Sequence, residues 1–167
     1  SAVDVFCETG AFNEEETRRI LEVARSAGLA TRVHGNQLGH GPGVQLAVEY
    51  GALSVDHLGF ITPEDIDALA DSWRDDSGGE RRGTVATVLP ACDLSTRMPL
   101  APARQLIDAG ARLAIASNCN PGTSFTSSMG FCVATAVLQM GLTIREAVEA
   151  ATLGGAMALG MHEDGWL

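Results

Sequence analysis

The chain alternates short runs of apolar and β-branched residues with longer segments in which apolar positions recur at helical spacing. Runs of the first kind indicate buried strands, because the strands of a parallel sheet are covered on both faces. Five runs are predicted to be strands: residues 2–7, 29–34, 52–58, 83–90 and 112–117. The pattern therefore predicts five strands, each followed by a helical segment.

Several of the helical segments carry recognisable start and stop signals. Asn13 precedes three acidic residues, as expected of an N-cap and of a first turn that suits the helix dipole, and Gly28 is expected to end that helix. Thr62 before a proline, and Thr143 three residues before Glu146, are further starts. The predicted helices span residues 13–28, 44–50, 62–73, 103–109, 124–140 and 143–159, and the predicted long connections span residues 74–83 and 91–102.

Strands that alternate with helices form right-handed βαβ units and a parallel sheet. Two closures fit this pattern: an open doubly wound sheet, complete in itself, and a section of an eight-stranded barrel whose other strands lie outside this sequence. The chain begins directly on a strand and stops without a terminal cap, which favours the second. The expected fold class is therefore α/β, a partial (β/α)8 TIM-type barrel.

Composition limits the classes of partner. The chain has 167 residues, 46% of them hydrophobic, and a formal net charge of −10. Without a cluster of Lys or Arg, its surface field repels phosphate backbones and anionic lipids, which argues against nucleic-acid and membrane partners. No apolar run reaches the ~18 residues of a membrane span, and no leader pattern precedes the first strand, so a cytoplasmic location is expected. The four cysteines, at positions 7, 92, 119 and 132, are expected to be free thiols.

Polar residues with catalytic potential follow the predicted strands, at the end of a parallel sheet where active sites form. They are Glu8, His34, Asn36, Gln37, Asp56, His57, Cys92, Asp93 and residues 118–123. His34 and His57 end neighbouring strands, so their imidazoles are expected to face one cavity and to bind a divalent metal or transfer protons. His40 and His162 are expected to be ordinary surface residues.

Residues 118–123 read Asn-Cys-Asn-Pro-Gly-Thr and precede a serine-rich segment that is predicted to begin a helix at residue 124. Backbone N–H groups at a helix N-terminus attract carboxylates, so an anionic group of a substrate could dock there. An ordinary Asn-Pro-Gly turn explains the same residues equally well. Both interpretations remain open at this level.

Five segments carry a resemblance to a known family: VDVFCETGAF, VHGNQLG, GALSVDHL, APARQLIDAGARLAIASNCNPGTSF and SSMGFCVATAVLQMGLTIREAVEAATLGGAMALG. In them the chain resembles the imidazolonepropionases, within the metal-dependent amidohydrolase superfamily. The resemblance implies that residues 1–161 are strands four to eight of the barrel with their helices, and that residues 162–167 begin a C-terminal β-domain segment. It also implies that a metal-binding H-x-H lies upstream, because this chain contains none.

The resemblance also assigns roles to individual residues. His34 matches a metal ligand, and His57 matches the catalytic histidine beside the attacking water. Gln37, a catalytic and substrate-binding position, stands where many members have glutamate, and Asn118, a metal-binding and catalytic position, stands where many have aspartate. Asn120, Gly122 and Thr123 match the substrate-binding loop. An amide cannot accept a proton near neutral pH, so the base function is expected at His57, or catalysis is altered.

The activity that the resemblance implies is hydrolysis of a cyclic amide C–N bond, with 4-imidazolone-5-propanoate and water giving N-formimidoyl-L-glutamate in histidine degradation. Zinc or iron is the expected cofactor, and the partner is a small-molecule substrate. Two alternatives are another cyclic amidohydrolase or deaminase of the superfamily, and a non-catalytic truncated fragment. The chain alone is expected to be inactive and to form a homo-oligomer or to self-associate through open sheet edges.

Overall fold

The computed structural model describes residues 1–74 and 82–161, and these contain one sheet of five parallel strands in the order β1-β2-β3-β4-β5. The strands are β1 (Ala2–Cys7), β2 (Ala30–Gly35), β3 (Ser54–His57), β4 (Val85–Val88) and β5 (Leu113–Ile115). Each predicted strand overlaps an observed one, and β3, β4 and β5 are shorter than predicted. The sheet is therefore the one that the apolar runs predict.

Helices follow every strand. They are α1 (Glu14–Ser26), α2 (Gly43–Glu49), α3 (Pro63–Asp71), α4 (Pro90–Thr96), α5 (Ala103–Ala109), α6 (Met129–Gln139), α7 (Ile144–Glu149), a π-helix (Ala150–Gly154) and α8 (Gly155–Ala158). The predicted N-caps Asn13, Thr62 and Thr143 each accept a hydrogen bond from the third residue of their helix. These three starts are therefore confirmed.

The prediction that residues 91–102 form one long connection is wrong for the first half of the segment. Those residues belong to α4, which begins at Pro90. Proline lacks the N–H that a first helical position leaves unpaired in any case, so Pro90 starts this helix rather than ending the strand segment before it. The helix ends at Thr96, and the C-cap residue Arg97 adopts the left-handed conformation with φ of 58°. As a result, Cys92 and Asp93 belong to the first turn of a helix rather than to a loop.

The helix predicted at residues 124–140 begins later than expected, at Met129 with Ser128 as its N-cap. Residues before it are held in a closed loop. The backbone of Asn120 pairs with that of Ser124, and the Ser124 hydroxyl donates to the carbonyl of Ser117 at 2.7 Å. Polar side chains that hydrogen-bond to nearby backbone groups compete with helix formation. Here such bonds hold the residues before Met129 in a loop instead of a helical turn.

The two faces of the sheet differ in polarity. One in-register row consists of the buried residues Val5, Val33, Val55, Ala86 and Leu113. The next row on the opposite face consists of Phe6, His34, Asp56, Thr87 and Ala114. Side chains alternate between faces along a strand, so the first row packs in the main core and the second forms a polar surface. The polar face carries the chemistry described below.

The π-helix lies against the outer edge of β5. Gly154 approaches the carbonyl of Leu113 so closely that a Cβ atom built on it would lie 2.0 Å from that oxygen. The guanidinium of Arg32, on β2, donates to the carbonyl of Ala158 at 2.5 Å and so joins α8 to the polar face. The edge of β5 is therefore partly covered.

Some predictions fall outside the described residues. They concern His162, the β-domain segment expected at residues 162–167, and most of the connection at residues 74–83. Within the described part of the chain, no helix is both long enough and apolar enough to cross a lipid bilayer.

Candidate active site

His34 lies at the end of β2 on the polar face, with its side chain partly exposed. Its Nδ1 atom is 3.1 Å from Oδ1 of Asp4, which projects from the neighbouring strand β1. This hydrogen bond raises the pKa of His34, and burial opposes the rise. Because Asp4 engages Nδ1, the other ring nitrogen of His34 is the one left for a ligand.

His57 ends β3, and its imidazole lies beside that of His34, with the ring centroids 5.1 Å apart. The backbone turns sharply here, since φ is 86° at His57 and 66° at Leu58. Leu58 is fully buried, so its packing holds this strained turn in place. The convergence of the two imidazoles that the sequence predicts is therefore present.

The environment of His57 keeps its ring neutral. The side chain is buried, and Nδ1 has no hydrogen-bond partner. Burial, together with the charge of His34, lowers the pKa of His57 to about 4. At neutral pH the imidazole is therefore unprotonated and can accept a proton.

A cavity of about 460 Å³ opens on the polar face next to His34. Its walls include Asp4, His34, Asp56, Thr87, Asn118 and Met129. Burial raises the pKa of Asp56, while a hydrogen bond with Ser54 and the charge of His34 oppose that rise. The cavity thus combines an imidazole, two carboxyl groups and an amide within one concave surface.

Asn118 lies beyond the end of β5 and lines the same cavity as His34. Its backbone is left-handed, with φ of 49°, and its carbonyl accepts a 2.6 Å hydrogen bond from the side-chain amide of Asn120. Asparagine adopts this conformation more readily than most residues. The turn therefore fixes the backbone from which the Asn118 side chain projects.

Asn120, Gly122 and Thr123 form a self-contained turn outside the cavity wall. Oδ1 of Asn120 accepts the backbone N–H groups of Gly122 and Thr123, both at 2.8 Å. The next helix starts only at Met129 rather than at residue 124 as predicted, so these N–H groups do not lie at a helix N-terminus. They belong to an Asn-Pro-Gly turn that the Asn120 side chain closes.

Gln37 does not line the cavity that holds His34 and Asn118. Its backbone N–H donates to the buried carboxylate of Glu8 at 2.5 Å, which joins the ends of β1 and β2. The neighbouring Asn36 is buried and donates to the carbonyls of Gly41 and Phe60. These residues hold the loop after β2, and His40, on the same loop, is exposed as predicted.

Two groups of side chains in the described residues could hold a metal ion, with their ligand atoms within 4.8 Å of one another. The first is Asp4, His34 and Asp56, and the second is His57, Cys92 and Asp93. Reasoning from strand ends missed Asp4, which lies within β1. The sequence signal for Asp4 is the alternation of polar and apolar residues along the first strand. In the structure, Asp4 pairs with Arg32 at the matching position of β2.

No protein-family profile matches the chain. The chain is 65% identical over 159 residues to the imidazolonepropionase of Arthrobacter sp. (strain FB24), an alignment that covers 95% of this chain and 40% of that protein. It is 51% identical over 165 residues to the imidazolonepropionase of Streptomyces coelicolor, with 99% and 40% covered. The chain thus spans about 40% of the length of the curated relatives that it matches.

Solved structures share the fold at low sequence identity. An adenosine deaminase from Xanthomonas campestris with bound zinc matches with a TM-score of 0.75 at 20% identity, over 96% of this chain and 39% of that one. An amidohydrolase from a Sargasso Sea environmental sample matches with a TM-score of 0.69 at 21% identity, over 97% and 36%. These matches confirm the predicted α/β class, with five parallel strands of a partial TIM-type barrel. The chain is therefore similar to imidazolonepropionases along nearly its whole length, as its sequence motifs predict.

Proposed function

We propose that an enzyme containing this chain hydrolyses 4-imidazolone-5-propanoate to N-formimidoyl-L-glutamate, a step of histidine degradation. The relatives named imidazolonepropionase, at 51–65% identity, support this substrate. The observation that carries the proposal is the 5.1 Å approach of the His34 and His57 rings beside the cavity that Asn118 lines. We also propose a cytoplasmic location, which free thiols at all four cysteines favour.

A divalent metal, zinc or iron, is the proposed cofactor, and His34 and Asn118 would contribute to its binding. The residues present suit a divalent metal ion. The Asp4 carboxylate forms a hydrogen bond with Nδ1 of His34, as carboxylates do when they orient metal-binding histidines. The Asp56 carboxyl, in the same cavity, has a buried oxygen without a hydrogen-bond partner. When bound, the ion would act as a Lewis acid toward the ring carbonyl and acidify water.

His57 is the proposed general base and acid. Its neutral imidazole would accept the proton of the attacking water and return it to the ring nitrogen that leaves. Asn118 would orient that water by a hydrogen bond, since its amide cannot accept the proton. His57 thus supplies the proton transfer that the amides at positions 37 and 118 cannot.

Substrate binding is proposed for Asn120, Gly122, Thr123 and Gln37. The N–H groups of Gly122 and Thr123 converge on Oδ1 of Asn120, so they form a ready site for an anionic oxygen. The propionate group would take the place of that side-chain oxygen. Gln37, in the loop after β2, would hydrogen-bond the substrate ring.

A chimera tests this function. The segment of the Arthrobacter enzyme that aligns with this chain is replaced by this chain, and turnover of 4-imidazolone-5-propanoate is measured. The unmodified chimera should be active. His57→Asn should lower kcat by about 10²–10⁴-fold, because it removes the general base. His40→Asn is the matched control, since it makes the same change at an exposed histidine, and it should leave kcat unchanged.

The same chimera separates the alternatives. Turnover of dihydropyrimidines, hydantoins or guanine, with none of imidazolonepropionate, would support another substrate of the superfamily. A well-folded chimera that turns over none of these compounds would support the non-catalytic interpretation. Equal activity of the His57→Asn and His40→Asn variants would contradict the role of His57.

The chain by itself is proposed to be inactive and to self-associate. Its outermost strand β1 has no neighbour on one side among the described residues, whereas the π-helix covers part of the β5 edge. An exposed strand edge presents unpaired backbone groups to other chains. We expect sedimentation velocity to show dimers or larger species that increase with concentration. A single monomeric species at all concentrations would contradict this expectation.

A further inference from the structure

Three side chains with metal-binding atoms meet where β3 ends and α4 begins. They are His57, at the end of β3, and Cys92 and Asp93, in the first turn of α4. One ligand atom from each lies within 4.8 Å of the other two. All three residues are buried, with 2%, 0% and 3% of their surface exposed. The cluster is therefore a buried imidazole, thiol and carboxyl in one place.

Two atoms of this cluster lack hydrogen-bond partners. They are Nδ1 of His57 and Oδ2 of Asp93, and both are buried. Buried polar atoms are almost always paired, because leaving one unpaired forfeits its hydration without compensation. A cation bound in the cluster would give buried, unpaired atoms of these side chains a partner. The unpaired atoms thus point to a ligand rather than to a closed hydrogen-bond network.

We propose that His57, Cys92 and Asp93 form a second metal site, which binds a borderline-soft divalent cation such as Zn²⁺ or Co²⁺. Imidazole and thiolate ligands select such ions over Mg²⁺ and Ca²⁺, which prefer ligand sets made of oxygen. Three protein ligands leave one tetrahedral position for water. Metal–ligand bonds of about 2.0–2.3 Å require the ligand atoms to lie about 4 Å or less apart, so binding would draw the three side chains slightly closer together.

The charges of the site suit its burial. Binding releases the proton of the Cys92 thiol and any proton on the Asp93 carboxyl, as metal ligation requires. The ion then carries two positive charges against one thiolate and one carboxylate, and the imidazole is neutral. The buried set therefore has no net charge, which limits the cost of removing it from water.

This site differs from the one proposed at the active-site cavity. The cluster of Asp4, His34 and Asp56 contains no sulfur, so only the second site can give a thiolate signature. The second site does not depend on the hydrolytic function proposed above. If both proposals hold, a metal in the second site occupies His57, so excess Zn²⁺ would inhibit hydrolysis.

Cobalt titration of the chain tests the proposal. The titration uses metal-free protein with Cys119→Ser, because Cys119 is the exposed thiol among the four. We expect a saturable thiolate-to-cobalt charge-transfer band in the near ultraviolet, which Zn²⁺ abolishes and Mg²⁺ does not. Cys92→Ala should remove the band. Cys7→Ala, at a buried thiol that is not part of the cluster, is the matched control and should retain it.

A second variant keeps the test decisive if Cys92→Ala does not fold. Asp93→Asn retains the thiol and nearly the same shape, and it should weaken Co²⁺ binding by roughly tenfold or more, because it removes an anionic ligand. Circular dichroism reports whether each variant is folded. No charge-transfer band in the Cys119→Ser protein, or a band of unchanged affinity in folded Asp93→Asn, would overturn the proposal.

Discussion

Gly154→Ala is expected to destabilise the chain by about 3 kcal/mol or more, because the structure leaves no space for a methyl group. A Cβ atom at this position would lie 2.0 Å from the carbonyl oxygen of Leu113 and 3.1 Å from Cα of Ala114. Both are backbone atoms of β5, so no side chain can rotate out of the way. The π-helix would have to move away from the edge of the sheet. Urea unfolding followed by circular dichroism measures the loss.

Gly155→Ala provides the control for this prediction, since it changes the adjacent residue in the same way. A Cβ atom on Gly155 meets nothing within 4 Å, and its φ of −59° is helical. Alanine there should leave stability unchanged or raise it by about 0.5–1 kcal/mol, because glycine weakens helices. Equal stability of the two variants would show that the close contact at Gly154 is not maintained in solution.

Asp93→Asn is expected to gain stability relative to the parent as the pH rises from acid to alkaline. Burial raises the pKa of Asp93 to about 7, and a hydrogen bond from the backbone of Ala101 only partly opposes the rise. The folded chain therefore holds a proton that the unfolded chain releases near its ordinary value of 3.8. The stabilisation linked to this proton is complete below that value and is lost as the pH rises through about 7.

Asparagine stays neutral at every pH, so the variant avoids this loss. Between about pH 4 and pH 8, its stability relative to the parent should improve by on the order of 3 kcal/mol. His57 acts in the opposite direction in both proteins, since its pKa is lowered to about 4 and its contribution is lost in acid. Because His57 titrates in acid, the change in the stability difference near pH 7 reports on Asp93. Urea titrations in the presence of a chelator measure it, and a difference that is constant with pH would contradict the prediction.

Much of the fold was predictable because it rests on local signals. Buried parallel strands require continuous apolar runs, and five such runs identify β1 to β5. Side chains that bond within their own first turn mark Asn13, Thr62 and Thr143 as N-caps. The start of α4 was missed because Pro90 fits the end of a strand segment and the first position of a helix equally well.

The candidate site was predictable only in part. That His34 and His57 end neighbouring strands is visible in the sequence, and their proximity follows from parallel pairing. The contact between Asp4 and His34 depends on the register of β1 against β2, which the sequence alone does not specify. The hydrogen-bond partners of the Asn120 side chain likewise depend on the turn that this residue closes, and the residue type alone does not specify them.

The turn at the end of β3 limits how this protein can be re-engineered. His57 and Leu58 both have left-handed backbones, which cost non-glycine residues about 1–2 kcal/mol each. Glycine at position 58 would relieve that cost but would remove the buried side chain that holds the turn. A combinatorial library for altered substrate range should therefore keep these two positions constant.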